Sequence, residues 1–255
     1  MNIYVILKQT FDTEEKIVIQ DGQVSEEGVK YIINPYDEYA VEEALQQRDA
    51  HGGSVTVLSI GPGRTAEALR TALAMGADEA VLIDGDRIPS DEFSVSQVLA
   101  AYLSKQNCDL ILAGYFSVDT GGGQVAVRTA KLLNLPHAAA ITKLKISEGR
   151  AVAVRDAEGD TEKLEVALPA LFTAQQGLNE PRYPTLPGIM KAKKKPFKLL
   201  ALDDLGLTES NVASKTQRTA LSLPPARKAG QILKGDLNEQ VSQLVSMLRT
   251  EAKVL

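Results

Sequence analysis

The sequence predicts an α/β fold: a doubly wound, mostly parallel sheet with antiparallel additions, followed by a carboxy-terminal arm that wraps a partner. Three features lead there. Short apolar runs of strand type alternate with amphipathic helical segments between residues 31 and 133. A triple-glycine cluster lies between one such strand and the next helix, where open α/β sheets place their ligands. Beyond Pro136 the pattern changes to alternating strand-like runs, then to a long Pro- and Lys-rich stretch without periodicity. A chain of 255 residues is long enough to bury a core without disulfides or metals.

Residues 3–7 read as a buried strand, and 16–19 with Asp21-Gly22 as the first arm of a hairpin. A short strand at 31–33 leads into the Pro35-Tyr36-Asp37 turn and a helix over 38–48. The clearest strand is 54–60, punctuated by Gly61-Pro62-Gly63. A helix over 65–75 carries Ala66, Leu69, Leu73 and Ala74 at helical spacing and stops at Gly76. Strand 80–83, helix 93–105, strand 109–113 and helix 124–133 complete the βαβ rhythm. The runs 140–146, 151–155 and 162–166 read as antiparallel additions to the same sheet, and 171–174 as a returning apolar strand. Residues 178–198 hold a dense basic run with neither helical nor strand period, and 199–225 stay irregular. An amphipathic helix over 231–248 ends the chain, its stripe formed by Ile232, Leu233, Leu237, Val241, Leu244, Val245 and Leu248. The expected division is a nucleotide-binding domain over 1–198 and an arm with its helix over 199–255, packing on a partner subunit.

Composition narrows the function. Two His, one Cys and no Trp leave little material for zinc clusters, disulfide scaffolds or His-based triads, so no catalytic or metal-ligating set is assigned. A net charge of −5 gives no general attraction for nucleic acid. The basic run Lys191, Lys193, Lys194, Lys195 and Lys198 reads as a solvated or partner-facing patch. His51 and His137 read as structural or surface residues, and Cys108 as a small buried one. The amino terminus has neither the basic lead-in nor the long apolar core of a targeting peptide, and the expected location is the cytoplasm.

Three strand-end loops are candidates for one adenine-nucleotide site. In Asp119-Thr120-Gly121-Gly122-Gly123-Gln124 the glycines let backbone N–H groups approach a phosphate, and the helix beginning near Val125 adds its positive end. The loop matches neither the Walker pattern nor GxGxxG, and a plain tight turn is the alternative. Asn34-Pro35-Tyr36-Asp37 lies at another strand end, with Asp37 either facing a ligand or simply capping the helix. Gly61-Pro62-Gly63 follows a third strand.

Three segments together resemble the β subunits of electron transfer flavoproteins: NPYDEYAVEEAL from Asn34, RTALAMGAD from Arg70 with VDTGGGQVA from Val118, and LPALFTAQQGLNEPRYPTLPGIMKAKKKP from Leu168. The resemblance implies a Rossmann-like fold of the adenine nucleotide alpha-hydrolase type. It also implies a heterodimer in which an α subunit holds most of a redox FAD and the β subunit binds AMP. The matching AMP positions are Ile6, Asn34, Pro35, Tyr36, Asp37, Ile60, Asp119, Thr120, Gly121, Gly122, Gly123, Gln124 and Val125. Thr13 and Tyr36 match residues near the partner's flavin, although Thr13 departs from the aromatic found there in some members.

Residues 177–187 resemble the family's recognition loop for client dehydrogenases, with Leu186 as the anchor beside Tyr183 and Pro187. A core leucine in a kinked strand is the alternative. The implied function is electron transport without substrate turnover, from flavin dehydrogenases such as the acyl-CoA dehydrogenases of fatty acid beta-oxidation to a quinone oxidoreductase or other acceptor. The glycine loop is shorter than in many AMP-binding members, and short loops also occur in electron-bifurcating relatives with a second FAD in this subunit. Those relatives usually carry Thr or Ser and a second acid where this chain has Gly121 and Gly122, which favours AMP. A nucleotide-binding sensor of universal-stress type shares the sheet and a glycine loop but has no need of the Pro-rich arm.

Overall fold

The computed structural model describes residues 1–227 and 229–255. It begins with β1 (Asn2–Ile6), followed by β2 (Gln9–Phe11) and a hairpin of β3 (Ile19–Gln20) and β4 (Gln23–Val24). Asp21 and Gly22 both take positive φ, 51° and 73°, as the two-residue turn between those strands requires. Strand β5 (Tyr31–Ile33) returns antiparallel to β2.

The chain then alternates helix and strand: α1 (Pro35–His51), β6 (Ser54–Gly61), α2 (Ala66–Met75), β7 (Glu79–Asp84), α3 (Glu92–Leu103), β8 (Leu110–Gly114) and α4 (Val125–Leu132). Local signals set the helix ends. Pro35 starts α1, where its missing N–H costs nothing, and Gly52 closes it with φ 72°. The Asp91 carboxylate caps α3 by accepting the Ser94 N–H at 2.8 Å.

Three long strands follow, β9 (His137–Ser147), β10 (Arg150–Ala157) and β11 (Asp160–Ala167), and then β12 (Ala170–Ala174). A short helix, α5 (Leu186–Ala192), and β13 (Phe197–Leu200) complete the larger unit's elements. One nine-stranded sheet takes the order β11-β10-β9-β12-β8-β1-β6-β7-β13. Neighbours are parallel from β9 through β13, and only β10 and β11 add antiparallel edges.

Alternation along the strands feeds two apolar layers. Ile3 and Val5 of β1 join Leu45 of α1 and Leu69 and Leu73 of α2 on one face. Ile6, Leu58 and Ile111 meet Val98, Leu99 and Leu103 of α3 on the other. Each fully buried aliphatic side chain contributes about 1.5–3 kcal/mol relative to exposure, so these layers hold the doubly wound sheet together.

Four departures from the sequence reading have local causes. Strand β2 is only three residues and carries no recognisable period. Within 178–198, helix α5 is a short helix of seven residues started by Thr185, whose hydroxyl accepts the Gly188 N–H at 3.1 Å. Strand β13 continues across the expected boundary at 198 because it gains a parallel ladder on β7. The basic run is not uniformly solvated: Lys195 donates to the Leu73 and Ala77 carbonyls at 2.9 and 2.5 Å, at the carboxyl end of α2, and Lys198 pairs with Glu79 at 2.5 Å.

The larger compact unit comprises 1–18 and 24–219; the smaller comprises 19–23 and 220–255. The smaller unit carries α6 (Leu237–Thr250), whose Asp236 and Glu239 form a reciprocal capping box. No residue of α6 is buried, and Leu237, Val241 and Leu244 of its apolar stripe are exposed.

Asp91 also ties down the end of the larger unit. Its second oxygen accepts the Lys215 and Thr216 N–H groups at 2.7 and 3.2 Å. Burial works to raise its pKa, but the bonds from Ser94, Lys215 and Thr216 outweigh it and hold the carboxyl well below the usual range. Asp91→Ala is expected to cost about 2–3 kcal/mol in urea unfolding and to open the segment near 215 to protease. The depressed pKa makes this contribution present above the ordinary aspartate value of about 3.9 and lost as pH falls below it. An unchanged unfolding midpoint and cleavage pattern at pH 7 would contradict the tie.

Candidate functional site

The strand order reverses at β1. From β1 the chain steps through α1 to β6 and through α2 to β7, then returns by α3 to β8 on the opposite side of β1. The crevice outside the carboxyl ends of β1 and β8 is therefore the topological switch point, where such sheets bind ligands.

Asp37 fills the base of this crevice. It is buried in the first turn of α1, and its two oxygens accept the Lys8 N–H at 2.7 Å and the Gly114 N–H at 2.9 Å. One carboxylate thus joins α1 to the ends of both strands. Gly114 is glycine by necessity, because a Cβ there would fall on the Asp37 carboxylate and the Tyr36 backbone. Burial pushes the Asp37 pKa up to about 7, against the lowering influence of the Lys8 and Gly114 amides and the Asn34 side chain. The helix-cap alternative for Asp37 is replaced by this cross-strand role, since Asn34 occupies the cap position.

Asn34 performs a related task. It is 1% exposed; its amide donates to the Phe116 carbonyl at 2.9 Å and its oxygen accepts the Val118 N–H at 3.1 Å. The segment leading from β8 into the glycine loop is therefore fixed to the start of α1. Tyr36 stacks in a tilted contact on Phe116, ring centres 4.4 Å apart, with Tyr115 edge-on to both.

The glycine loop closes with the Gly121 N–H donating to the Ser117 carbonyl at 2.8 Å and the Ser117 and Thr120 hydroxyls 2.7 Å apart. Gly121 and Gly123 take positive φ, 67° and 61°. Gln124 precedes α4 without capping it; its side chain instead accepts from Arg128 at 3.0 and 2.8 Å. The leading amides from Val125 onward are thus free of a side-chain cap, as an anion at a helix start requires. Lys8, between β1 and β2, reaches across and holds Asp119 at 2.7 Å.

Ile6 ends β1, nearly buried, and Ile60 lies next to the end of β6 in register with Ile83 of β7. The structure brings Asn34, Tyr36, Asp37 and the 116–124 segment together. Thr13 stands apart, exposed in the turn beyond β2 at the far end of the β2/β5 ladder from Asn34. Lys8, Tyr115, Phe116 and Ser117 were missed by sequence reasoning. Their position immediately after predicted strands was the available signal.

Residues 21–205 match the electron transfer flavoprotein domain family. The chain is 54% identical to an electron transfer flavoprotein subunit beta of Bacillus subtilis, each covering all of the other. It is 40% identical to a protein of the same name from Syntrophomonas wolfei, over all of this chain and 98% of that one. It is 38% identical to the caffeyl-CoA reductase-Etf complex subunit CarD of Acetobacterium woodii, covering 98% of both. The chain belongs to the electron transfer flavoprotein family.

Within this electron transfer flavoprotein chain, the 177–187 segment packs Leu178 against the core and presents Tyr183, Leu186 and Pro187 outward. Tyr183 is 90% exposed and Leu186 74%, and Pro187 is exposed beside them, so Leu186 is not a core residue. His51 ends α1 and His137 starts β9, both exposed. Burial pushes the Cys108 thiol up to about 12, which keeps it protonated. Among the described residues no cluster of three or more His, Cys, Asp or Glu has the placement of a metal site, and no helix is long and apolar enough to cross a membrane.

The Asp37 carboxyl is expected to titrate near pH 7 when followed by carbon NMR of the labelled side chain. An elevated pKa means that its protonated form is favoured by the fold. Its stabilising contribution is full below about pH 4, where both states are protonated, and declines as pH rises toward 7. A carboxyl titrating at the ordinary value of about 4 would show that the amide bonds, not burial, dominate at Asp37.

Proposed function

We propose that this chain is the β subunit of a flavoprotein heterodimer that carries electrons from flavin dehydrogenases, acyl-CoA dehydrogenases among them, to a quinone oxidoreductase or other acceptor. The observation that carries the reading is the joining of Asn34, Asp37 and the glycine loop at one switch point, in a chain that matches a named β subunit end to end. The electron chemistry is supplied by FAD held mainly by an α subunit, and this chain's own residues supply scaffold, charge and shape.

In this reading AMP occupies the crevice. Its phosphate lies on the glycine-loop amides and the start of α4, next to Lys8, and its adenine lies over the apolar strand ends at Ile6 and Ile60. The uncapped start of α4 fits a phosphate, and the Lys8 ammonium is paired with Asp119 of the same loop. Tyr36 and Thr13 are the positions that match residues near the partner's flavin, and Thr13 lies apart from the crevice in its exposed turn. The carboxy-terminal arm with α6 packs on the α subunit, which would cover the exposed Leu237, Val241 and Leu244. The location proposed is the cytoplasm. The chain is a carrier subunit without a substrate turnover of its own.

A second reading places another FAD in this subunit, as in electron-bifurcating relatives; the likeness to a protein of the caffeyl-CoA reductase-Etf complex favours considering it. Gly121 and Gly122 offer no side-chain ligand for a larger nucleotide, which supports AMP. Extraction of the purified heterodimer is expected to release one FAD and one AMP. Two flavins per heterodimer would refute the AMP reading.

Leu186→Ala is expected to weaken docking by about 2 kcal/mol, roughly 30-fold in the KM for the heterodimer as acceptor from an acyl-CoA dehydrogenase, with nucleotide content unchanged. Unaltered dehydrogenase kinetics would remove the docking role.

A further inference from the structure

We propose that Arg182 and Asn179 are positioning residues, which hold the docking segment 183–187 in a preformed shape by seating its approach on Glu42 and Glu43 of α1. The proposal rests on the reading of Leu186 as the docking anchor. Arg182 forms a two-pronged pair with Glu42, Nε to Oε2 at 2.8 Å and Nη2 to Oε1 at 3.0 Å, and its backbone N–H donates to the same carboxylate at 3.1 Å. Asn179 donates to the Tyr39 carbonyl and to Glu43, both at 3.0 Å. Glu42 and Glu43 are each 4% exposed, an unusual place for two adjacent acids. Burial works to raise the Glu42 pKa, and the Arg182 bonds outweigh it.

The far end of the segment is fixed as well. Gly188 lies so close to α2 that a Cβ would strike the Ala74 carbonyl, and Lys195 binds the Leu73 and Ala77 carbonyls. Tyr183 and Leu186 are therefore held outward between two pinned ends, with Thr185 starting α5 between them. Glu42 is buried and Arg182 is partly open to solvent, so the pair adds little net stability and its geometry is the more informative property. Holding an exposed anchor in place before encounter removes part of the ordering cost of binding.

The test uses the flavin-loaded heterodimer as acceptor for an acyl-CoA dehydrogenase. Arg182→Ala is expected to raise the KM for the heterodimer about tenfold, with kcat at saturation and flavin content unchanged. Arg182→Lys, which keeps the charge without the fork, is expected to recover part of the loss. If Arg182→Ala does not assemble, the paired change Glu42→Gln with Arg182→Gln removes both charges together and is expected to raise KM in the same way. An unchanged KM in these variants, while Leu186→Ala raises it, overturns the positioning role alone. Silence of Leu186→Ala too removes the docking reading itself. A fall in kcat matched by loss of flavin marks a purely structural role and also overturns the proposal.

Discussion

The buried carboxylate of Asp37 is the contact on which the candidate site depends. It joins residues 29 and 77 positions away in sequence, at the ends of the two strands where the sheet order reverses. A buried carboxyl without partners would cost several kcal/mol, and two backbone N–H donors offset that cost only at this spot. Strand ends, helix start and Gly114 therefore constrain one another: the helix cannot shift without leaving two amides and a carboxyl unpaired. Asn34 extends the same logic outward by gripping both sides of Ser117 through Phe116 and Val118, which hands the glycine loop a fixed origin.

Helix α1 connects two regions with different tasks. Its cap and first turn build the crevice through Asn34, Tyr36 and Asp37, and Glu42 and Glu43 farther along it hold Arg182 and Asn179. A rigid helix gives both regions one reference frame, so the proposed nucleotide site and docking segment share a scaffold without sharing a residue. Lys195 serves the same end from the other side, by binding the Leu73 carbonyl in the last turn of α2 and the Ala77 carbonyl just beyond it.

The parallel core was legible because its physics is local. Strands such as Ser54–Gly61 are short runs dominated by apolar residues, and helix α2 shows its period and its terminal glycine in the sequence itself. The glycine loop was legible by type and placement. Helix α5 was not, since seven residues including a proline and a glycine carry too little period, and its closeness to α2 depends on a tertiary contact at Gly188. Strand β13 is strand because β7 offers an edge, which the sequence of Phe197–Leu200 does not reveal. Lys8 escaped notice for the same reason: its partner Asp119 is 111 residues away. The basic run misled because charge alone does not show that Lys195 has carbonyls within reach.

Amide hydrogen exchange tests the role of Asp37 most directly. In Asp37→Ala, protection of the Lys8 and Gly114 amides is expected to fall about tenfold or more, while Val5 and Leu112 in the same strands keep theirs. Unchanged protection at Lys8 and Gly114 in that variant would contradict the account.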